Sequence, residues 1–333
     1  MMKSIKAVYH AASSLALMAL GLLLFAAPAH AVGTAAGTTI SNTASISYSD
    51  ASANSFTAVS NTVDITVTAV YTVSVSCTAD QNANSNTTGN YACTLTNTSN
   101  APNTFALTAS SLPAWGTAII VDTNGDGVRQ GGETTATATT GALAADATYK
   151  FFMSVTVPAN TVNGTTSIAT LTVVGSGDAG VGDDTTVART TTAQAPALSV
   201  SKKVRNVTTA GSFVASGVTA KPTDVLEYQL LVTNNGTVQA SNDILSDVLN
   251  ANVTYSAGTI WIGSNGTANN GGTNANKTDA TAGDAVCATD ACGAANFTAG
   301  TLTFNLGTGA TELVGGSLAP ASAVYVYYRV TVK

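Results

Sequence analysis

Apolar and polar residues alternate with period two through nearly all of the chain after residue 31, and no long stretch carries the 3.6-residue repeat of a helix. Val63, Ile65, Val67, Ala69, Tyr71, Val73, Val75 and Cys77 fall on one face of an extended run. Tyr149, Phe151, Met153, Val155 and Val157 repeat the pattern, as do Leu226, Tyr228, Leu230 and Val232, and finally Val324, Val326, Tyr328, Val330 and Val332. A strand of this kind has one face to bury and one for solvent. Short runs divided by Asn-, Gly-, Ser- and Thr-rich turns specify an all-β chain of antiparallel sandwiches, and 333 residues accommodate two.

An internal repeat fixes the count. Thr72-Val-Ser-Val-Ser76 matches Ala197-Leu-Ser-Val-Ser201, Tyr91-Ala-Cys-Thr-Leu-Thr-Asn-Thr-Ser99 matches Tyr228-Gln-Leu-Leu-Val-Thr-Asn-Asn-Gly236, and Leu143 to Val157 matches Leu318 to Val332. The three similarities come in the same order. They divide the chain into a leader (1–31), an N-terminal segment (32–70), a first sandwich (71–195) and a second (196–333).

The phase of the repeat carries a functional expectation. After Val157 the first unit continues with Gly164-Thr-Thr-Ser-Ile-Ala-Thr-Leu-Thr-Val173, a turn and Thr185-Thr-Val-Ala-Arg-Thr190, which reads as a closing hairpin. The second unit has one residue after Val332, so it is expected to lack that hairpin. A similar segment stands at the other end: Gly37-Thr-Thr-Ile-Ser-Asn-Thr-Ala-Ser-Ile-Ser-Tyr48, then Val59 to Val67. A sandwich without its last strands has an open sheet edge and an uncovered core. If the spare hairpin fills that gap in a neighbouring molecule, the contact is head to tail and generates a filament.

Lys3 and Lys6, the apolar run Leu15 to Phe25, and Ala29-His30-Ala31 before Val32 have the layout of a signal peptide, so the expected location is extracellular or on the cell surface, reached by the Sec route. The apolar run is too short for an ordinary membrane span, and no other segment resembles a transmembrane one. His10 and His30, the two histidines, both lie in that leader. A mature chain without imidazole has no Ser-His-Asp triad and no His-ligated metal centre, so an enzyme is not expected. Charged residues are 9% of the chain, with 18 acidic against 12 basic, a balance that argues against nucleic acid.

Four cysteines in an exported chain suggest two disulfides, which proximity pairs as Cys77 with Cys93 and Cys287 with Cys292. Asp122-Thr-Asn-Gly-Asp-Gly-Val-Arg-Gln-Gly-Gly-Glu133 matches a twelve-position calcium loop. Asp122, Asn124 and Asp126 take positions one, three and five, and Gly127 the sharp turn at six. Val128 would offer its carbonyl, Gln130 a water, and Glu133 both oxygens. Calcium takes six to eight hard oxygens, which alternate loop positions wrap around one point. The loop follows a strand-like run, Ala118-Ile-Ile-Val121, so the expectation is a structural Ca²⁺ site rather than a helix-opening sensor. Other matches dissolve: Gly175-Ser-Gly-Asp-Ala-Gly180 precedes no helix, and Asp183-Asp184 falls in a turn.

Leu198-Ser-Val-Ser-Lys-Lys203, the Tyr228 to Gly236 segment, Val253-Thr-Tyr-Ser-Ala-Gly258 and Leu318-Ala-Pro320 together resemble the conserved-repeat surface-protein family catalogued as domain of unknown function eleven. The similarity spans about residues 196–332 and, more weakly, 71–195. It implies immunoglobulin-like β-sandwiches in an exported surface protein and no catalytic residues. That family's usual ending resembles Gly37-Thr-Thr-Ile-Ser-Asn-Thr-Ala44 rather than anything after Val332, which agrees with the permuted phase. The expectation from the whole is a non-enzymatic structural surface protein, a head-to-tail fibre subunit with itself as partner. The alternative is a monomeric adhesin that binds carbohydrate or another surface protein.

Overall fold

The computed structural model describes residues 33–177, 182–267, 274–277, 293–311 and 313–333. The leader, Cys287 and Cys292 lie outside them. The chain is all-β: two tandem immunoglobulin-like sandwiches preceded by an N-terminal hairpin.

The hairpin, or arm, consists of β1 (Thr39–Asn42), β2 (Ser45–Ser49), β3 (Ser55–Val59) and β4 (Val63–Thr66). β1 pairs β4 and β2 pairs β3, both antiparallel. Between the two ladders, residues 43–44 on one strand face 60–62 on the other, so one strand bulges by a residue. The bulge has a consequence for the faces. Cross-strand partners share a face, which groups Ile40 with Ile65, Asn42 with Val63, Ile46 with Ala58 and Tyr48 with Phe56. With the extra residue absorbed, these pairs form one apolar stripe, and every large apolar side chain in it is exposed. The Tyr48 and Phe56 rings stack at 5.4 Å.

The single run expected from Val63 to Cys77 is broken, because residues 67–72 form no strand. Asn100 satisfies that backbone instead: its Oδ1 accepts from Val70 N–H, and its Nδ2 donates to the Thr34 and Thr68 carbonyls.

Sandwich one contains β5 (Val73–Cys77), β6 (Gln81–Asn84), β7 (Thr88–Asn97), β8 (Asn103–Leu112), β9 (Gly116–Val121), β10 (Thr139–Leu143), β11 (Thr148–Thr156), β12 (Thr166–Gly175) and β13 (Thr185–Gln194). One sheet has the order β5-β7-β11-β9 and the other β10-β8-β12-β13-β6. Tyr91, Leu95, Phe105, Leu107, Phe151, Met153, Leu171 and Val173 fill the space between them. Cys77 faces Cys93 across β5 and β7 and is disulfide-bonded to it. Phe152 points to the other side of β11 yet is also buried. Its cross-strand partner Ile120 bridges Ala136, so the segment after β9 folds back over that face.

Sandwich two contains β14 (Leu198–Asn206), β15 (Val225–Asn234), β16 (Ala240–Val248), β17 (Val253–Tyr255), β18 (Ile260–Gly263), β19 (Asn274–Lys277), β20 (Gly293–Thr298), β21 (Thr301–Leu306), β22 (Gly316–Leu318) and β23 (Ala323–Val332). β14, β15, β23, β18 and β19 form one sheet, with β17 also against β23; β20, β21, β16 and β22 form the second.

The repeat reappears in hydrogen bonds. Asn97 and Asn234, each wholly buried, close equivalent turns. Asn97 Nδ2 donates to the Ala101, Leu143 and Ala144 carbonyls, and Asn234 Nδ2 to those of Val238 and Leu318. Their Oδ1 atoms accept from Ser99 and Gly236 N–H. The turn before β11 runs through Asp146 at φ 59°, and that before β23 through Ala321 at φ 58°.

Candidate functional site

In sandwich one the edge of β8 away from β10 is filled by β12, and β13 lies beyond it against β5. β16 takes the place of β8, and its neighbours differ. Val248 back to Ile244 pair with Thr301 to Asn305 of β21, and Asp243 back to Ala240 with Gly316 to Leu318 of β22. Ser317 exchanges both backbone hydrogen bonds with Thr308, which therefore lies on the side of β22 away from β16. Asn305 and Thr308 are three residues apart and reach about 11 Å at most. Reaching Thr308 from the opposite edge of β16 would need about 14 Å at strand spacing. β21 and β22 thus share one edge of β16. β20 agrees, because it lies against β18, on the side remote from β14.

Among the described residues nothing pairs with the other edge of β16. This is the lane that β12 occupies in sandwich one. Its effect is visible on β14. Leu198 and Val200 stand where Val73 and Val75 stand on β5, and they are 45% and 53% exposed, whereas Val73 and Val75 pack against the core under β13. A groove opens there, lined by Leu198, Val200, Val232, Asp243, Ile244 and Leu245. Asp243 is 6% exposed, and its Oδ2 has no hydrogen-bond partner. Burial holds its carboxyl above the usual range, partly offset by the Leu318 N–H.

At Cys77's position on β14, sandwich two has Lys202. Its Nζ lies over the Tyr228 ring, 4.6 Å from the centroid, and donates to Asp247 on β16. The Tyr328 hydroxyl donates to the same carboxylate at 2.6 Å, and burial pushes that phenol's pKa far up. On the outer face of the same sheet, Glu227, fully buried, takes Arg205 on one oxygen and Arg329 on the other.

The arm repeats the hydrogen bonding of the β12–β13 hairpin at its base. Gly164 N–H donates to Ala193 O and Ala193 N–H to Thr165 O; Gly37 N–H donates to Val67 O and Val67 N–H to Thr38 O. Both glycines need the left-handed region, at φ 82° and 81°. The junctions match as well: Thr237 N–H donates to Ala195 O where sandwich one enters sandwich two, and Asn100 N–H to Val70 O where the arm enters sandwich one. Carried along from the shared base, Ile40 and Ile46 fall on the positions of Ser167 and Val173, which β12 turns inward and buries. The arm's apolar stripe is thus the face that the equivalent hairpin buries.

The loop after β9 is tightly self-bonded. Asp122 Oδ1 accepts from Gly125 N–H at 2.7 Å and Oδ2 from Gly127 N–H at 3.0 Å. Glu133 Oε1 accepts from Thr123 N–H and Oε2 from Gln130 N–H. Both carboxylates are buried. Asp126 accepts from Val128 N–H and from the Asn124 and Gln130 amides, and these bonds, that of Val128 first, hold its carboxyl below the usual range. Lys150 Nζ donates to Gly125 O. The accepting atoms are oxygens of the kind calcium takes as ligands. Among the described residues, however, no three acidic, His or Cys groups already converge closely enough to hold a metal ion. Asp122 and Glu133 are set by backbone bonds, while the exposed Asp126, Asn124 and Gln130 side chains would have to turn from one another toward a cation. Asp183, one of the two turn aspartates, is buried and accepts from Asn103 Nδ2 and Gly177 N–H, a structural role.

Sequence reasoning missed Asp243 and Asp247, and met Lys202 in the Leu198–Lys203 segment without giving it a role at the lane. The signal available was polar residues at inward positions of otherwise apolar strands.

No protein-family model matches the chain, and neither does any curated protein. Among solved structures, the C-terminal domain of BspA, an antigen I/II polypeptide of Streptococcus agalactiae, is 10% identical, with 79% of this chain and 91% of that one covered at a TM-score of 0.34. The C-terminal domain of the antigen I/II-family protein AspA of Streptococcus pyogenes is 8% identical over 79% and 91%, with a TM-score of 0.35. Likeness this loose assigns neither a function nor a partner.

Proposed function

We propose that this chain is a non-enzymatic, exported structural surface protein of the conserved-repeat type, a fibre subunit in which the arm of one copy completes sandwich two of the next. The observation that carries the reading is the mismatch within one chain. Sandwich one is closed by a hairpin, sandwich two has an open lane at the same place, and a hairpin with the same base stands uncovered in the arm.

Geometry favours a neighbouring copy as acceptor. The arm is tied to Asn100, just past the end of β7, whereas the junction to sandwich two lies near the start of β7, where Ser85 N–H donates to Gln194 O. β7 has ten residues, a separation of about 33 Å. Folding back would break the Asn100 bonds and require the arm to cross a whole sandwich. A neighbour's lane demands neither. Such a contact is heterologous and open-ended.

We assign the Asp122–Glu133 loop a structural calcium role, with Asp122, Asn124, Asp126, the Val128 carbonyl, Gln130 and Glu133 as the ligand set. Bound calcium would neutralise two buried carboxylates and stiffen the segment that covers Ile120 and Phe152.

The test is negative-stain electron microscopy of the chain from residue 32, with calcium, beside the same chain lacking residues 32–70. Fibres from the first and none from the second support the reading. Compact monomers from both sink it and leave an adhesin module as the better account.

A further inference from the structure

We infer that Tyr48 of one copy and Asp243 of the next form a specificity pair at the fibre junction, the Tyr48 phenol entering the open lane and donating to the Asp243 carboxylate. This rests on the complementation reading above and adds a register to it.

The register follows from equivalences already described. The shared hairpin base places Tyr48 where Gly175 stands, at the inward-facing end of β12. On the acceptor side, Ala240 pairs with Leu318 as Asn103 pairs with Leu143. One residue is then inserted: the ladder slips between Ser241 and Asp243, with Asn242 at φ 58°. Past that bulge Asp243 takes the inward place of Phe105, and Leu245 that of Leu107. In sandwich one Phe105 faces Gly175 directly across β8 and β12. The equivalent pair between two copies is Asp243 with Tyr48.

Sizes are exchanged between the two pairs. Sandwich one has a ring on the sheet strand and no side chain on the hairpin, and a Cβ at Gly175 would meet Asp183 Oδ2 at 1.9 Å. Sandwich two has the small side chain on the sheet strand and leaves the lane open, so the ring comes from the hairpin. The ring that arrives also carries a hydroxyl, and the carboxylate it meets has a buried oxygen without a donor. A buried acceptor left unmade is costly, and a donor supplied only by the correct partner turns that cost into selectivity. A hairpin with glycine at this position, such as β12–β13, fills neither the volume nor the hydrogen bond.

The experiment measures the critical concentration for fibre growth of the chain from residue 32 by sedimentation. Wild type is compared with Tyr48→Phe, Asp243→Leu and the double variant. Each single change should raise the critical concentration about tenfold, the scale of one hydrogen bond to a charged group, and the double should add little to either. Tyr48 lies on the exposed arm, so Tyr48→Phe reads the contact without touching the fold, whatever Asp243→Leu does to sandwich two. If wild type and Tyr48→Phe grow at the same concentration, the pair is wrong while complementation stands. If wild type with an intact arm forms no fibres at any concentration, both fall.

Discussion

Replacing Ile46 with Asp should abolish fibre growth while leaving the monomer's stability unchanged. Ile46 is 62% exposed in the arm, and its counterpart in sandwich one, Val173, is wholly buried opposite Leu107. Docking by the same register would take about 110 Å² of Ile46 out of water, roughly 2.8 kcal/mol at 25 cal/mol per Å². Truncation to Ala, which keeps about a third of that area, should cost about 2 kcal/mol and raise the critical concentration roughly 30-fold. An aspartate there would face Leu245 without a hydrogen-bond donor, adding several kcal/mol, and growth should cease in any practical concentration range. Sedimentation reads the polymer, and thermal melting of the dilute protein reads the monomer. Ile46→Asp fibres growing at the wild-type concentration would refute the use of this face. An equal loss of melting temperature would show instead that the arm helps to stabilise its own molecule.

Three further outcomes follow from single groups. Calcium at ten times its dissociation constant should stabilise sandwich one by about 1.4 kcal/mol, and Glu133→Gln should remove the response in calorimetry with and without chelator. Asn97→Ala and Asn234→Ala should each cost about 2–4 kcal/mol, because buried carbonyls lose their donor, whereas Asn235→Ala on the exposed side of the same turn should stay within about 1 kcal/mol in urea unfolding. The raised Asp243 carboxyl means that sandwich two is favoured while this group is protonated. That contribution is complete below the unfolded carboxylate value, 3.8, and is lost as pH rises through the higher folded value. Asp243→Asn should flatten this part of the pH profile, and an unchanged difference between the two proteins across that window would show that the carboxyl is not shifted.

The two sandwiches were legible because each strand has an apolar face to bury and the repeat restates the set. Three features were not, each for a local reason. The break at 67–72 interrupts a run of good alternation, and only Asn100, a side chain distant in sequence, makes a non-strand backbone acceptable there. The second buried face of β11, with Phe152, depends on a loop folding back over Ile120, which period-two reasoning does not see. The slip at Asn242 shifts β16 by one residue and turns Asp243 and Asp247 inward, where alternation counted from Ala240 turns Ile244 inward instead. A one-residue slip inverts every later face. That is why alternation alone misplaces the side chains of this strand beyond the slip, the exposed Ile244 and the inward Leu245 as well as Asp243 and Asp247.

If sandwich two is an acceptor, it has to remain folded and monomeric until a partner arrives, a demand that the closed sandwich one does not face. Sandwich one fastens β5 to β7 with a disulfide and covers both with its hairpin. Sandwich two leaves β14 uncovered, and in the proposed complementation the arm of a second copy supplies the cover. At the disulfide's position it carries Lys202, whose ammonium lies over the Tyr228 and Tyr328 rings and reaches Asp247 on the opposite sheet. The Lys202 side chain stays partly in solvent. A lysine is also among the devices that keep an open edge from pairing indiscriminately, since an unmatched strand must leave that charge in place or bury it. The apolar area left bare along the lane includes Leu198, Val200 and Ile244, enough to reward a hairpin with a continuous apolar face. A stray strand with polar residues there gains little and still faces the unpaired carboxylate of Asp243.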